Sequence, residues 1–178
     1  MIEMSKYKCK ELRRRIVLTD GGIYDNMGME AIFRQKNINT VLVSDACAPF
    51  VIEKKPHGIL EPIRVINILM DQVQSLRKRW LVADFKEGRQ HGAYWGIGTK
   101  MKSFYKDNNG IIPDSMIEDS KITDKFCEIT TRLKSFDSKL QGQLINWGGY
   151  ALCDLSLCVR AKLVMEKSTA LPVPEVPL

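Results

Sequence analysis

The strongest constraint in this chain is a change of pattern over residues 16–30. The β-branched pair Ile16-Val17 runs through Leu18-Thr19 into Asp20, and Gly21-Gly22-Ile23-Tyr24-Asp25-Asn26-Met27-Gly28-Met29-Glu30 follows. An apolar run that ends on a carboxylate and two glycines reads as a strand, residues 15–19, feeding a loop almost free of side chains. Ligands of α/β folds bind beyond the carboxyl ends of the strands, so Asp20 stands where such a fold keeps reactive groups. Gly21 and Gly22 can take positive φ and let another backbone or a substrate approach closely. Asp25 or Asn26 is suited to cap a helix over residues 26–35, weakened by Gly28. Glu30 falls where a first-turn carboxylate favours the helix dipole. A plain glycine turn with a solvated aspartate explains the same local pattern.

The pattern continues as an α/β chain. Thr40-Val41-Leu42-Val43-Ser44 is a second strand whose continuous apolar centre suits a parallel sheet covered on both faces. Strand, helix and strand at this spacing make a βαβ unit with a right-handed crossover. Pro49, Pro56, Gly58 and Pro62 punctuate the next loop, and Pro49-Phe50-Val51-Ile52 can meet an acyl chain or pack under the loop. Residues 62–85 predict a long helix with Val65, Ile66, Leu69, Val73, Leu76 and Trp80 on one face, expected in the core. Asp71, Gln74, Arg77 and Lys78 fall off that stripe.

Residues 92–99 predict a short aromatic strand through Tyr94 and Trp95. Residues 104–120 are polar, with the turn signal Asn108-Asn109-Gly110, and read as a surface excursion. A modest helix is expected over 123–135. A long one follows over 140–165, with Leu144, Trp147, Ala151, Leu155 and Cys158 on one stripe. Gly148-Gly149 interrupts it at a cost of about 1–2 kcal/mol relative to alanine. That is tolerable if a neighbouring element packs closely there, with a kink as one outcome. Residues 168–178 hold three prolines and are expected to fray.

Composition narrows the function classes. With 178 residues, 44% hydrophobic and 27% charged, the chain is globular, with room for one ordinary domain. No apolar run approaches the ~18–20 residues that span a bilayer, and residues 1–15 lack the apolar core of a signal peptide. Cys9, Cys47, Cys127, Cys153 and Cys158 are scattered without a Cys-x-x-Cys pair, and His57 and His91 are isolated, which argues against a zinc site. Cys153 and Cys158 read as core residues, and the cysteine usage fits a reducing, cytoplasmic setting. Residues 1–15 hold Lys6, Lys8, Lys10, Arg13, Arg14 and Arg15 against Glu3 and Glu11, a net +4 of the chain's +6. Such an arm attracts anionic surfaces or remains a solvated arm. It lacks the interleaved aromatics of single-strand binders, so no nucleic acid is expected as a partner.

The stretch from Asp20 resembles the Asp-Gly-Gly motif of patatin-like phospholipases, which are lipid acyl hydrolases. Four later blocks resemble the family in the same order: residues 40–46, residues 72–80, Gly92-Ala93-Tyr94-Trp95-Gly96-Ile97, and residues 145–154. The similarity runs from about Arg14 to about Arg160. It implies an α/β fold: the C-terminal part of a three-layer patatin-like fold with a mainly parallel sheet flanked by helices. It divides the chain into a basic arm (1–13), a partial patatin-like domain (14–166) and a Pro-rich tail (167–178).

The resemblance assigns Asp20 as the catalytic aspartate of a Ser-Asp dyad, on a loop shaped by Gly21 and Gly22. It implies no cofactor and no metal, and it needs no histidine. The family's serine sits in a Gly-x-Ser-x-Gly elbow, with a glycine-rich oxyanion loop, both upstream of Asp-Gly-Gly. No serine here has glycine at both i−2 and i+2. The expected reading is the aspartate-bearing C-terminal portion of such a hydrolase, cytoplasmic or peripheral at the membrane. Its expected partners are membrane phospholipid or another acyl-ester lipid, with an N-terminal half or self-association completing the fold. The alternative is a non-enzymatic homologue that binds lipid surfaces or a protein partner. Asp45, at the end of the second strand, reads as a loop cap or a second carboxylate at the cleft.

Overall fold

The computed structural model describes residues 20–32, 35–46, 48, 58, 61–109, 117–129, 135–163 and 170–178. The expected strand 15–19, the basic arm, the Pro49–Ile52 patch and His57 lie outside them. The chain forms a mixed α/β structure in two compact units. One unit comprises Met1–Ile38 with Lys55–Trp80, the other Asn39–Lys54 with Leu81–Leu178.

The first unit contains a single helical turn, α1 (Gly22–Asp25), and most of α2 (Glu61–Lys86). Of the helix expected over 26–35, the described residues 26–32 and 35 are not helical. Gly28 takes φ +65, the left-handed region, and the chain proceeds through turns instead. α2 matches its expected span within a residue at each end, but its apolar stripe is not core. Val65, Ile66, Leu69, Leu76 and Trp80 are all exposed, Trp80 at 57%. Periodicity finds a stripe but does not say which side of a helix is covered. Arg77, off the stripe, is the side chain that faces the Asp25–Glu30 turn.

The second unit is built on β1 (Thr40–Asp45) and β2 (His91–Gly96), which pair in parallel from Thr40 opposite His91 to Asp45 opposite Gly96. β1 is buried only at alternate residues: Val41 and Val43 are inside, while Leu42 is 47% exposed. Its continuous apolar centre therefore overstated its burial, and one face of β1 is open. β2 is buried from Gly92 to Trp95. The pairing depends on Gly92. Its φ is +146, and a Cβ there would lie 1.8 Å from the Val41 carbonyl oxygen.

The core gathers Ala93 and Trp95 of β2 with Phe104, Ile117, Phe126, Trp147, Ala151, Leu152 and Leu155. Two of these correct the reading of 104–120 as a surface excursion. Residues Met101–Asp107 form helix α3, whose Phe104 is fully buried, and Ile117 is also buried. Asp119 explains the fold here, because its carboxylate accepts the Met101 and Lys102 N–H groups at 2.8 and 3.3 Å and so caps α3. Ser120 next to it caps α4 (Lys121–Lys125) in a reciprocal box with Thr123. Of the helix expected over 123–135, the described part is α4 and a 3₁₀ turn, Phe126–Glu128.

The last helix is continuous over 138–160 but not uniformly α. α5 (Ser138–Leu144) passes into a π segment, Ile145–Ala151, then α6 (Leu152–Leu155) and a second π segment, Ser156–Arg160. The Leu152 N–H reaches the Trp147 carbonyl, five residues back. The widened turn contains Gly148-Gly149, where a helix loses least by distortion. A Cβ on Gly148 would lie 2.6 Å from Ile97 Cδ1, whereas Gly149 faces open space. Trp147, buried beside them, donates its indole N–H to the Ile97 carbonyl at 2.9 Å. Each π turn holds an extra residue, so the buried stripe slips: Leu157 is buried and Cys158, expected in the core, is exposed.

The C-terminal residues 170–178 are docked rather than frayed. Val176 N–H bonds to the Val173 carbonyl at 3.2 Å across Pro174-Glu175, a turn with proline at its favoured position. The fully buried Asn146 grips this turn. Its amide NH₂ donates to the Val173 and Val176 carbonyls at 2.8 and 3.2 Å, and its oxygen accepts the Val173 N–H at 3.0 Å. Gln143 donates to the Pro177 carbonyl at 2.8 Å, and Gly142 leaves room for Val173 and Val176.

The glycines give opposite expectations. Gly92→Ala places a methyl group on backbone atoms and forces a strained φ, and should cost at least about 2 kcal/mol. Gly149→Ala meets nothing and should stabilise by about 0.5–1 kcal/mol. Urea unfolding of both variants beside the wild type checks the pair. Equal effects at the two positions would show that β1 and β2 do not pair as described.

Candidate active-site loop

Asp20 lies at the entrance to α1 and is exposed. Its carbonyl accepts the Ile23 N–H at 3.2 Å, and its carboxylate folds back to accept the Gly22 N–H at 2.8 Å. The carboxylate is thus held by the backbone next to a helical turn, with one oxygen committed. Neither glycine uses positive φ. Gly21 has φ −61 and Gly22 is helical, so conformational freedom is not what these positions need. Gly22 needs space: a Cβ there would lie 2.9 Å from Asn26 Oδ1 and 3.2 Å from Asp20 Oδ1. Gly21 meets nothing.

Downstream, the loop closes on itself and on α2. The Asp25 carboxylate accepts the Glu30 N–H at 2.6 Å, spanning the Gly28 turn instead of capping a helix. Arg77 reaches in from α2. Its Nη1 donates to Glu30 Oε2 at 2.9 Å and lies 3.7 Å from Asp25 Oδ1. Its guanidinium carbon stands 4.9 Å from the centre of the Tyr24 ring. Only 13% of the Arg77 side chain and 10% of the Asp25 side chain are exposed. Burial opposes the Arg77 charge, but the Glu30 hydrogen bond and the Asp25 charge outweigh it and hold the guanidinium above its ordinary range. Glu30, expected to serve a helix dipole, serves this ion pair instead.

The other sequence candidates are placed differently. Asp45 belongs to the second unit, where it accepts the Tyr94 hydroxyl at 2.5 Å and its carbonyl accepts the Ile97 N–H at 2.9 Å. It ties the ends of the two paired strands together, as a loop-end cap does. His91 opens β2, and its N–H bonds to the Asn39 carbonyl at 3.4 Å. The Cys153 thiol is pushed up by burial and by the Asp154 carboxylate, the wrong direction for a nucleophile. No group of three His, Cys, Asp or Glu side chains among the described residues could hold a metal ion. No described helix is long and apolar enough to cross a membrane.

Comparison with known proteins gives no family model, curated protein or solved structure that matches the chain. Local geometry therefore has to carry the site. Sequence reasoning missed Arg77, which it set aside as a charge off the apolar stripe, and Tyr24. It also missed Arg160, which binds the Tyr94 carbonyl and Asp107 at 2.9 Å and lies 4.4 Å over the Phe104 ring. The signal available for Arg77 was charge balance: Asp25 and Glu30 lie close together on a short turn that needs a cation.

Gly22→Ala should change stability by less than about 1 kcal/mol, because helix propensity gained offsets the displaced side chains. It should nonetheless push the Asp20 carboxylate off the amide at position 22, read as faster hydrogen exchange of that amide. Gly21→Ala should leave the exchange unchanged. The reverse order would show that space at Gly22 is not what the loop requires.

Proposed function

We propose that this chain supplies the aspartate of a patatin-like lipid acyl hydrolase, with Asp20 as the proton-accepting member of a Ser-Asp dyad. The observation that carries the reading is the setting of Asp20. It is exposed on a glycine loop, fixed by the Gly22 N–H, and followed by segments that resemble the family in order. In the proposed reaction a serine hydroxyl attacks the ester carbonyl of a phospholipid or related lipid. The carboxylate takes the hydroxyl proton and returns it to the leaving alcohol. An aspartate in water, with a pKa of ~3.9, is a weak base for this step. A lipid in the cleft would exclude water and strengthen it. The serine belongs to a Gly-x-Ser-x-Gly elbow and the oxyanion hole to a separate glycine-rich loop, and these 178 residues contain neither. The parallel β1–β2 pair is, on this reading, part of the mainly parallel sheet of a three-layer fold, and the protein works in the cytoplasm or at a membrane surface.

A second reading, a non-enzymatic module that binds lipid surfaces or a protein partner, is favoured by one observation: the exposed apolar stripe of α2.

The chain by itself should neither hydrolyse nitrophenyl esters above background nor take up a fluorophosphonate label on any serine. In a polypeptide that joins it to a Gly-x-Ser-x-Gly segment, Asp20→Asn should lower turnover about 10²–10⁴-fold. Asp45→Asn should stay within a few-fold of wild type, with circular dichroism confirming folding. Labelling of a serine in the chain alone, or full activity of Asp20→Asn, would defeat the dyad.

A further inference from the structure

We infer that Arg77 is the positioning residue of the Asp20 loop; its consequence for turnover rests on the reading of Asp20 as the dyad base. Three observations converge on it. Its guanidinium joins both carboxylates of the turn, Glu30 at 2.9 Å and Asp25 at 3.7 Å. It covers the Tyr24 ring at 4.9 Å. It is itself mostly enclosed, which is unusual for an arginine, on a helix whose apolar stripe is exposed.

The contacts span the loop in a specific way. Tyr24 and Asp25 form the second half of α1, the turn whose first N–H groups bond to Asp20 and Gly21. Glu30 lies beyond the left-handed Gly28. Asp25 receives the Glu30 N–H on one oxygen, and its other oxygen, buried and without a hydrogen bond, faces Arg77. Without the cation, a buried carboxylate and its neighbour Glu30 would repel each other across that turn. The turn would open to hydrate them, and α1 would lose its anchor. Asp20, bonded to α1 through the Gly22 and Ile23 N–H groups, would follow. Arg77 therefore acts on the carboxylate through Tyr24 and Asp25 and never touches the reacting atoms. Lysine can keep the charge, but its compact ammonium lacks the planar guanidinium that reaches both carboxylates and lies over the Tyr24 ring.

The test uses Arg77→Met, which keeps helix propensity and side-chain length, and Arg77→Lys. In the full chain, hydrogen exchange over residues 22–32 should quicken at least tenfold in Arg77→Met, with residues 91–96 unchanged, and Arg77→Lys should recover part of the protection. In the nucleophile-bearing polypeptide, Arg77→Met should lower kcat at least tenfold at an unchanged KM, and Arg77→Lys should fall between. Unchanged exchange in Arg77→Met overturns the inference. Faster exchange with wild-type kcat overturns it as well, while an inactive Asp20→Asn in the same series leaves the dyad standing. A fully active Asp20→Asn overturns the dyad and the consequence for turnover, while the exchange result alone then decides whether Arg77 positions the loop.

Discussion

The parallel pairing of β1 and β2 is the constraint from which the second unit follows. Two parallel strands cannot be joined by a turn. The chain must leave Asp45 and return to His91, and α2 lies in the segment that makes this connection. The strands approach so closely at Val41 that only a residue without a Cβ fits opposite, and that residue is Gly92. The closeness puts Tyr94 within reach of Asp45 and leaves Ala93 and Trp95 as a floor for the core. Trp147 then sets the last helix against the end of β2 through the Ile97 carbonyl. Arg160 fastens the far end of that helix to the Tyr94 carbonyl and to α3.

Much of this was legible in the residues. The spans of β1 and α2 and the place of β2, which ends at Gly96 and not at Thr99, follow from β-branched runs, aromatic content and helical spacing, which are local properties. What was not legible depends on which side of an element finds a partner. α2 shows a clean apolar stripe, yet Ile66, Leu69 and Trp80 are exposed while Arg77 is enclosed. The long helix has a second failure of the same kind. Its stripe was counted at 3.6 residues per turn, but π turns insert extra residues, and Leu157 replaces Cys158 on the buried side. Gly148-Gly149 marked the place of the distortion without specifying its form. Asp119 was unreadable for another reason: it caps α3 from 18 residues away, and sequence spacing carries no trace of such a bond.

The candidate loop divides along the same line. Asp20, Gly21 and Gly22 stand out because their composition is unusual. Their support does not, because it is an ion-pair cluster drawn from distant parts of the chain. A fully exposed ion pair would contribute about 1 kcal/mol or less. The cluster gains its influence from enclosure of Arg77 and Asp25, where an uncompensated charge is expensive. The glycines carry a related lesson. Residues that signalled positive φ are helical, and the requirement at Gly22 is room for two neighbouring polar side chains.

Asn146 has a bearing on how the protein is made. Its amide is fully buried, and all three of its described hydrogen bonds go to Val173 and Val176. Those residues follow the last helix in the chain, so they leave the ribosome after it. Until they arrive, a nascent chain that has already assembled β1, β2 and the last helix holds an amide without these partners beside the groove of Gly142. Closure of the second unit is thus tied to the arrival of a short segment that belongs to neither strand. A chain in which that segment were lost would still present quality-control proteases with an open helix face.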